Sequence, residues 1–110
     1  MEKSSLTALV REHLETARRA SSGRSATTVY GGHEHQLRQT LVALAAGQEM
    51  EEHESPGEAT LQVLRGRVTL FAGDTSWDGT AGDLIVIPPA RHSLAAREDA
   101  AVLLTVVKPR

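Results

Sequence analysis

Residues 47–66 read GQEMEEHESPGEATLQVLRG, and residues 82–92 read GDLIVIPPARH. The first stretch opens on Gly47, carries His53 in an acidic loop and turns at Pro56-Gly57. It then runs through a short strand at 59–64 and turns again at Arg65-Gly66. Pro pre-sets φ and Gly accepts a positive φ, so the Pro-Gly pair has turn chemistry. The second stretch turns at Gly82 and continues as an all-apolar strand over 84–87. It stops at Pro88-Pro89, which remove two N–H donors from any ladder, and reaches His92.

Working outward, residues 26–30 are β-prone through Thr27, Thr28 and Val29. Gly31-Gly32 breaks that strand, and a second follows over 37–45. Strands over 59–64 and 67–72 meet tightly at Arg65-Gly66, a hairpin signal. Gly73-Asp74 and Asp78-Gly79 read as turns around a short strand at 75–77. A strand at 93–96, a turn at Glu98-Asp99 and an apolar strand over 101–107 complete the chain. Short strands at this spacing predict an all-β sandwich or barrel. The strands at 84–87 and 101–107 are apolar on both faces and need cover on both sides. One helix is predicted, over 5–20, where Leu6, Leu9, Val10, Leu14 and Ala17 form a single apolar stripe. Ser4 or Ser5 caps its start, and Arg18 and Arg19 complement the dipole at its end. A lone helix of this length is marginal in water, so its stripe must dock on the barrel or on another subunit. The expected division is residues 1–25 as helix and connector and 26–110 as the β-domain.

At 110 residues the chain makes one domain, which buries roughly two-thirds of its unfolded surface. Aromatic residues are 3%, too few for a base-stacking platform, and a formal charge of −2 offers no field for a phosphate backbone. With no cysteine, disulfides and thiolate metal sites are excluded. The first twenty residues carry charges throughout, and the apolar runs are too short to span a bilayer. The expectation is a cytoplasmic protein with neither nucleic-acid nor membrane partners.

Four histidines lie in the β-region: His33, His35, His53 and His92. On an extended strand His33 and His35 leave the same face, which suits chelation of one ion. Imidazole suits Zn, Fe, Ni and Cu. Arg38 and Arg91 can each grip a carboxylate or phosphate through a bidentate fork. A surface arginine paired with an acid is the plainer reading of both.

The two quoted stretches resemble the paired motifs of the cupin superfamily over roughly residues 37–107. The family's first motif, G-x5-H-x-H-x(3,4)-E-x6-G, is matched by Gly47, His53 and Gly66. Ser55 stands at its second histidine and Ala59 at its glutamate. Its second motif is matched by Gly82, Pro88 and His92, with Ala90 where a glycine is usual. The resemblance implies an antiparallel jelly-roll β-barrel with one N-terminal α-helix, and a homodimer formed through an apolar sheet face. It implies that His53 and His92 meet inside the barrel. Gln62, if strand parity turns it inward, and Arg38 are further ligand-binding candidates. The family's metal site has three histidines and a glutamate, of which two ligands are missing here. A His35/His53/His92 set would leave an open position for one divalent transition metal (Zn, Fe, Ni or Mn), and Glu58 reaches in only through a register shift. A metal-free pocket stands beside it as the other expectation. The implied function is small-molecule binding in the barrel cavity. The alternative is a metal-dependent enzyme of dioxygenase, isomerase or hydrolase type.

Overall fold

The computed structural model describes residues 2–54 and 57–109. Helix α1 (Leu6–Arg19) is followed by nine strands: β1 (Arg24–Tyr30), β2 (Leu37–Leu44), β3 (Glu49–His53), β4 (Glu58–Arg65), β5 (Arg67–Ala72), β6 (Thr75–Thr80), β7 (Leu84–Val86), β8 (His92–Ala96) and β9 (Ala100–Val107). They form two antiparallel sheets, one ordered β1-β2-β9-β4-β7 and the other β3-β8-β5-β6. The fold is the expected all-β jelly roll with one helix. Alternation on β4 sends Ala59, Leu61 and Val63 into the space between the sheets, where they meet Val68, Leu70, Leu94, Val102 and Val106.

The helix closes a second core on the outer face of the five-stranded sheet. Ser5 caps it by accepting from the Ala8 N–H. Val10, Leu14 and Ala17 pack on Leu41, Ala43 and Ala101. This explains why β9 is apolar on both sides: Val102 and Val106 face the barrel interior, and Ala101 faces the helix. β7 differs. Ile85 is buried, but Leu84 and Val86 remain 62% and 73% exposed on the outer face.

Several expectations are corrected. Residues 49–53 form an edge strand rather than a loop, paired only with β8. Strands β4 and β5 are not a hairpin: β4 pairs with β7 and β9, and β5 with β6 and β8, so Gly66 is the corner between the two sheets. Asp78-Gly79 lies within β6, not at a turn. A Cβ at Gly79 would come within 3.0 Å of Ile85 Cδ1 and Val63 Cγ2, so glycine lets the sheets close there. The first strand begins at Arg24, two residues before the expected domain boundary. The Pro56-Gly57 turn falls partly on Pro56, outside the described residues.

Asp99, in the turn before β9, ties three segments together. Its carboxylate accepts from Arg18 Nε at 2.6 Å and from the Ala46 N–H at 2.8 Å. The Arg18 hydrogen bond, then the Ala46 N–H, hold its pKa below the ordinary carboxylate value. A depressed folded pKa gives stability that is present above the unfolded value and lost as pH falls through the folded one. The pair is a third to a half exposed, so solvent screening limits it. Asp99→Asn is expected to cost about 1 kcal/mol at neutral pH in urea unfolding. The difference from wild type should vanish once acid has protonated Asp99; a gap that persists there would show that the tie does not depend on charge.

Candidate functional site

β3 and β8 place His53 directly opposite His92. The ring centroids are 4.4 Å apart with a 63° interplanar angle, an edge-to-face pair. His92 is 4% exposed and shares strand parity with Leu94 and Ala96 of the core, whereas His53 is exposed. The register explains how they meet. Met50 pairs with Leu94 and His53 with His92, three steps on β3 against two on β8. Met50 packs against the core. A regular strand would turn a residue three positions on to the opposite face; the one-residue bulge restores it to the face of His92.

The main chain orients both rings in the same way. His53 Nδ1 lies 2.9 Å from the Glu51 carbonyl oxygen, and His92 Nδ1 lies 2.9 Å from that of Ala90. A carbonyl can only accept, so each Nδ1 carries a proton and donates it. In the neutral rings Nε2 then holds the lone pair, ready to accept from a ligand or to take a proton. Neither Nδ1 is oriented by a carboxylate; each bond runs to the main chain two residues upstream, on β3 for His53 and in the segment just before β8 for His92.

The other candidates lie elsewhere. His33 and His35 sit in the turn between β1 and β2, not on an extended strand, and the His35 ring stands edge-on to Tyr30 at 5.2 Å. Ala59, at the family's glutamate position, puts a methyl group into the core, and Glu58 beside it is exposed. Gln62 faces outward and is exposed, opposite Leu84 and Leu103, so it is no cavity residue. Ser55 lies outside the described residues. Among the described residues no three histidine or acidic side chains converge to hold a metal ion. His35 therefore does not complete a triad with His53 and His92. Two imidazoles fall short of the three protein ligands of a catalytic zinc site, and the described donor set does not fit a resident metal.

Arg91 ion-pairs with Glu52 at 3.0 Å and Glu54 at 3.6 Å. Its pKa is pushed up, first by the Glu52 hydrogen bond and charge. Arg38 lines a hollow of about 390 Å³ where β1 and β2 of one sheet face β3 of the other. Val42, Met50, Leu104 and Val106 line it too, and all four belong to the core between the sheets. A larger hollow, about 990 Å³, runs from Thr60, Val86, Thr105 and Val107 on the outer face to Glu54, Ala90 and Arg91, the sequence neighbours of the two histidines.

Two facing antiparallel sheets, with paired histidines at the ends of β3 and β8, define a small jelly-roll barrel protein. The cupin domain family matches residues 40–108, and the chain belongs to that family. Among solved structures it is similar to a conserved protein of unknown function from Streptococcus pyogenes, at 30% identity over 83% of this chain and 79% of that one, with a TM-score of 0.74. It is also similar to an RmlC-like cupin from Desulfovibrio desulfuricans, at 25% identity over 79% and 84% of the two chains, with a TM-score of 0.68. A cupin superfamily protein from Desulfitobacterium hafniense shares the fold at 17% identity, covering 78% of each chain with a TM-score of 0.72. No curated protein matches the chain. Among the described residues, no helix is long and apolar enough to cross a membrane.

Proposed function

We propose that this cupin is a cytoplasmic binding module that takes a small molecule into the space between its sheets, with His53 and His92 as the polar contacts. The carrying observation is the ring pair itself. Each Nδ1 is committed to its own main chain, which locks the ring and presents Nε2 as an acceptor. Hollows of about 300–1,000 Å³ with an apolar lining and a few placed polar groups are the ordinary form of ligand sites, and the 390 Å³ hollow that borders Met50 fits that form. The same locked rings suit proton transfer, but among the described residues no third histidine or acidic side chain converges with them.

A screen of small polar metabolites by thermal shift tests this reading. Compounds that stabilise the wild type are expected to lose that effect in the His53→Ala/His92→Ala variant, whose own melting temperature is measured alongside. Full retention of the shifts in the double variant would overturn it. The metal-dependent alternative meets the same variant: stoichiometric Zn, Fe, Ni or Mn in the purified wild type, lost in the double variant, would favour a dioxygenase, isomerase or hydrolase. We expect less than stoichiometric metal.

Self-association is proposed through the outer face that α1 leaves uncovered, where Leu37, Leu84, Val86 and Val107 are exposed. A Val86→Lys variant should shift a dimer to monomer on a sizing column, and an unchanged elution volume would reject this face.

A further inference from the structure

The hollow between β1, β2 and β3 has an uneven charge. Arg24, Arg38 and Lys108 line it, and among the described residues no acidic one does, although the chain holds more acids than bases. The cations are there by register. Arg38 pairs with Val106, on the inward face of β9, and Lys108 lies two residues beyond Val106 with its N–H bonded to the Gln36 carbonyl. These two cationic side chains therefore stand side by side at the same end of the hollow, one on β2 and one just past the end of β9. Arg24 comes from the far end of β1, opposite Leu44, and its guanidinium donates to the Glu49 carbonyl across the gap to β3. Arg38 and Lys108 are half-buried, yet no ion pair among the described residues involves either of them. Arg91, by contrast, is answered by two glutamates at the surface. Partly desolvated cations without a counter-charge carry a cost that an incoming anion relieves.

Resting on the reading of the inter-sheet space as the ligand site, we infer that the ligand is a small organic acid. Its carboxylate sits between Arg38 and Lys108, and its hydrocarbon body lies along Val42, Met50, Leu104 and Val106. The Arg38 guanidinium supplies a planar fork that matches two carboxylate oxygens, and the Lys108 ammonium adds a point charge. The apolar floor favours an organic acid over a bare inorganic anion, because that floor gains only from a body that covers it. The histidine pair lies further along β3, beyond Met50 and away from Arg24, so it stands toward the Arg38 and Lys108 end, where it meets a polar group carried close to the carboxylate.

Hexanoate, hexanamide and inorganic phosphate are titrated into the full chain, with the Met50 methyl resonance as reporter. Hexanoate should saturate and move that resonance. Hexanamide should bind at least about tenfold more weakly, as should hexanoate to R38Q/K108Q, since a hydrogen bond to a charged group is worth at least that factor. R38K, which keeps the charge and loses the fork, should fall between; circular dichroism and melting temperature verify that each variant is folded. Equal binding of hexanamide, no saturable binding of hexanoate, or phosphate binding as tightly through Arg38 would each overturn the organic-acid assignment. Hexanoate binding lost in His53→Ala/His92→Ala but kept in R38Q/K108Q leaves the histidine site standing and removes the arginine one. The converse pattern supports the acid site and removes the histidines from it.

Discussion

Gly66→Ala is expected to destabilise the domain by about 3 kcal/mol or more, a fall in melting temperature of roughly 12–24 °C at the 4–8 °C per kcal/mol of a domain this size. Two costs add. Gly66 has φ +77°, where an L side chain loses about 1–2 kcal/mol. A Cβ there would also press on the Asp99 carbonyl oxygen and lie 2.9 Å from Ala100 Cα, both backbone atoms that cannot swing aside. The chain has no slack to give, because Gly66 is the corner at which it leaves β4 in one sheet for β5 in the other. Gly73→Ala is the matched control. Gly73 also has positive φ (+58°), but no atom lies within 4 Å of its added Cβ, so only the conformational cost of about 1–2 kcal/mol remains. Denaturant unfolding of the two variants separates strain from collision. Equal losses would mean that the backbone at Asp99 yields.

The same corner shows what a local reading of sequence captures. Arg65-Gly66 has the chemistry of a tight reversal, and the chain does reverse there. Whether the two strands then pair or part is decided by what lies across from them, and β9 and β7 claim β4 while β8 and β6 claim β5. β3 was hidden for a different reason. Its residues EMEEH lack the apolar alternation that marks a half-buried strand, since it lies at a sheet edge with most side chains in solvent. The bulge that aims His53 depends on pairing with β8 and leaves no trace in the local residues. The closeness of His53 to His92 was therefore legible through kinship with the cupins rather than through spacing. His33 and His35 show the opposite error: a two-residue interval gives a common face only on extended backbone, and the turn after Gly31-Gly32 is not extended. By contrast, the α1 stripe was readable residue by residue, because a 3.6-residue period needs no partner to be seen.

That stripe carries the second large effect. Leu14→Ala should cost about 4 kcal/mol, within the 2–5 kcal/mol range for deleting a buried leucine side chain. Leu14 is fully buried and packs in one cluster with Leu41, Ala43 and Ala101, and the two small alanines admit the helix close to the sheet. Two alanines beneath it have no reach to fill the space, so the void persists and the loss should sit at or above the middle of the range. Removing residues 1–20 is the stronger form of the same experiment. It uncovers Leu41, Ala43 and Ala101 in the middle of the outer face, beside Leu103 and one strand away, across Gln62 of β4, from the exposed Leu84. The truncated chain is therefore expected to melt lower and to elute as a larger species, since one enlarged apolar face must find cover. Leu14→Ala, with the helix still docked, should lower stability without changing size. If the truncation left both melting temperature and elution volume unchanged, α1 would be an appendage, and the apolar outer side of β9 would need another explanation.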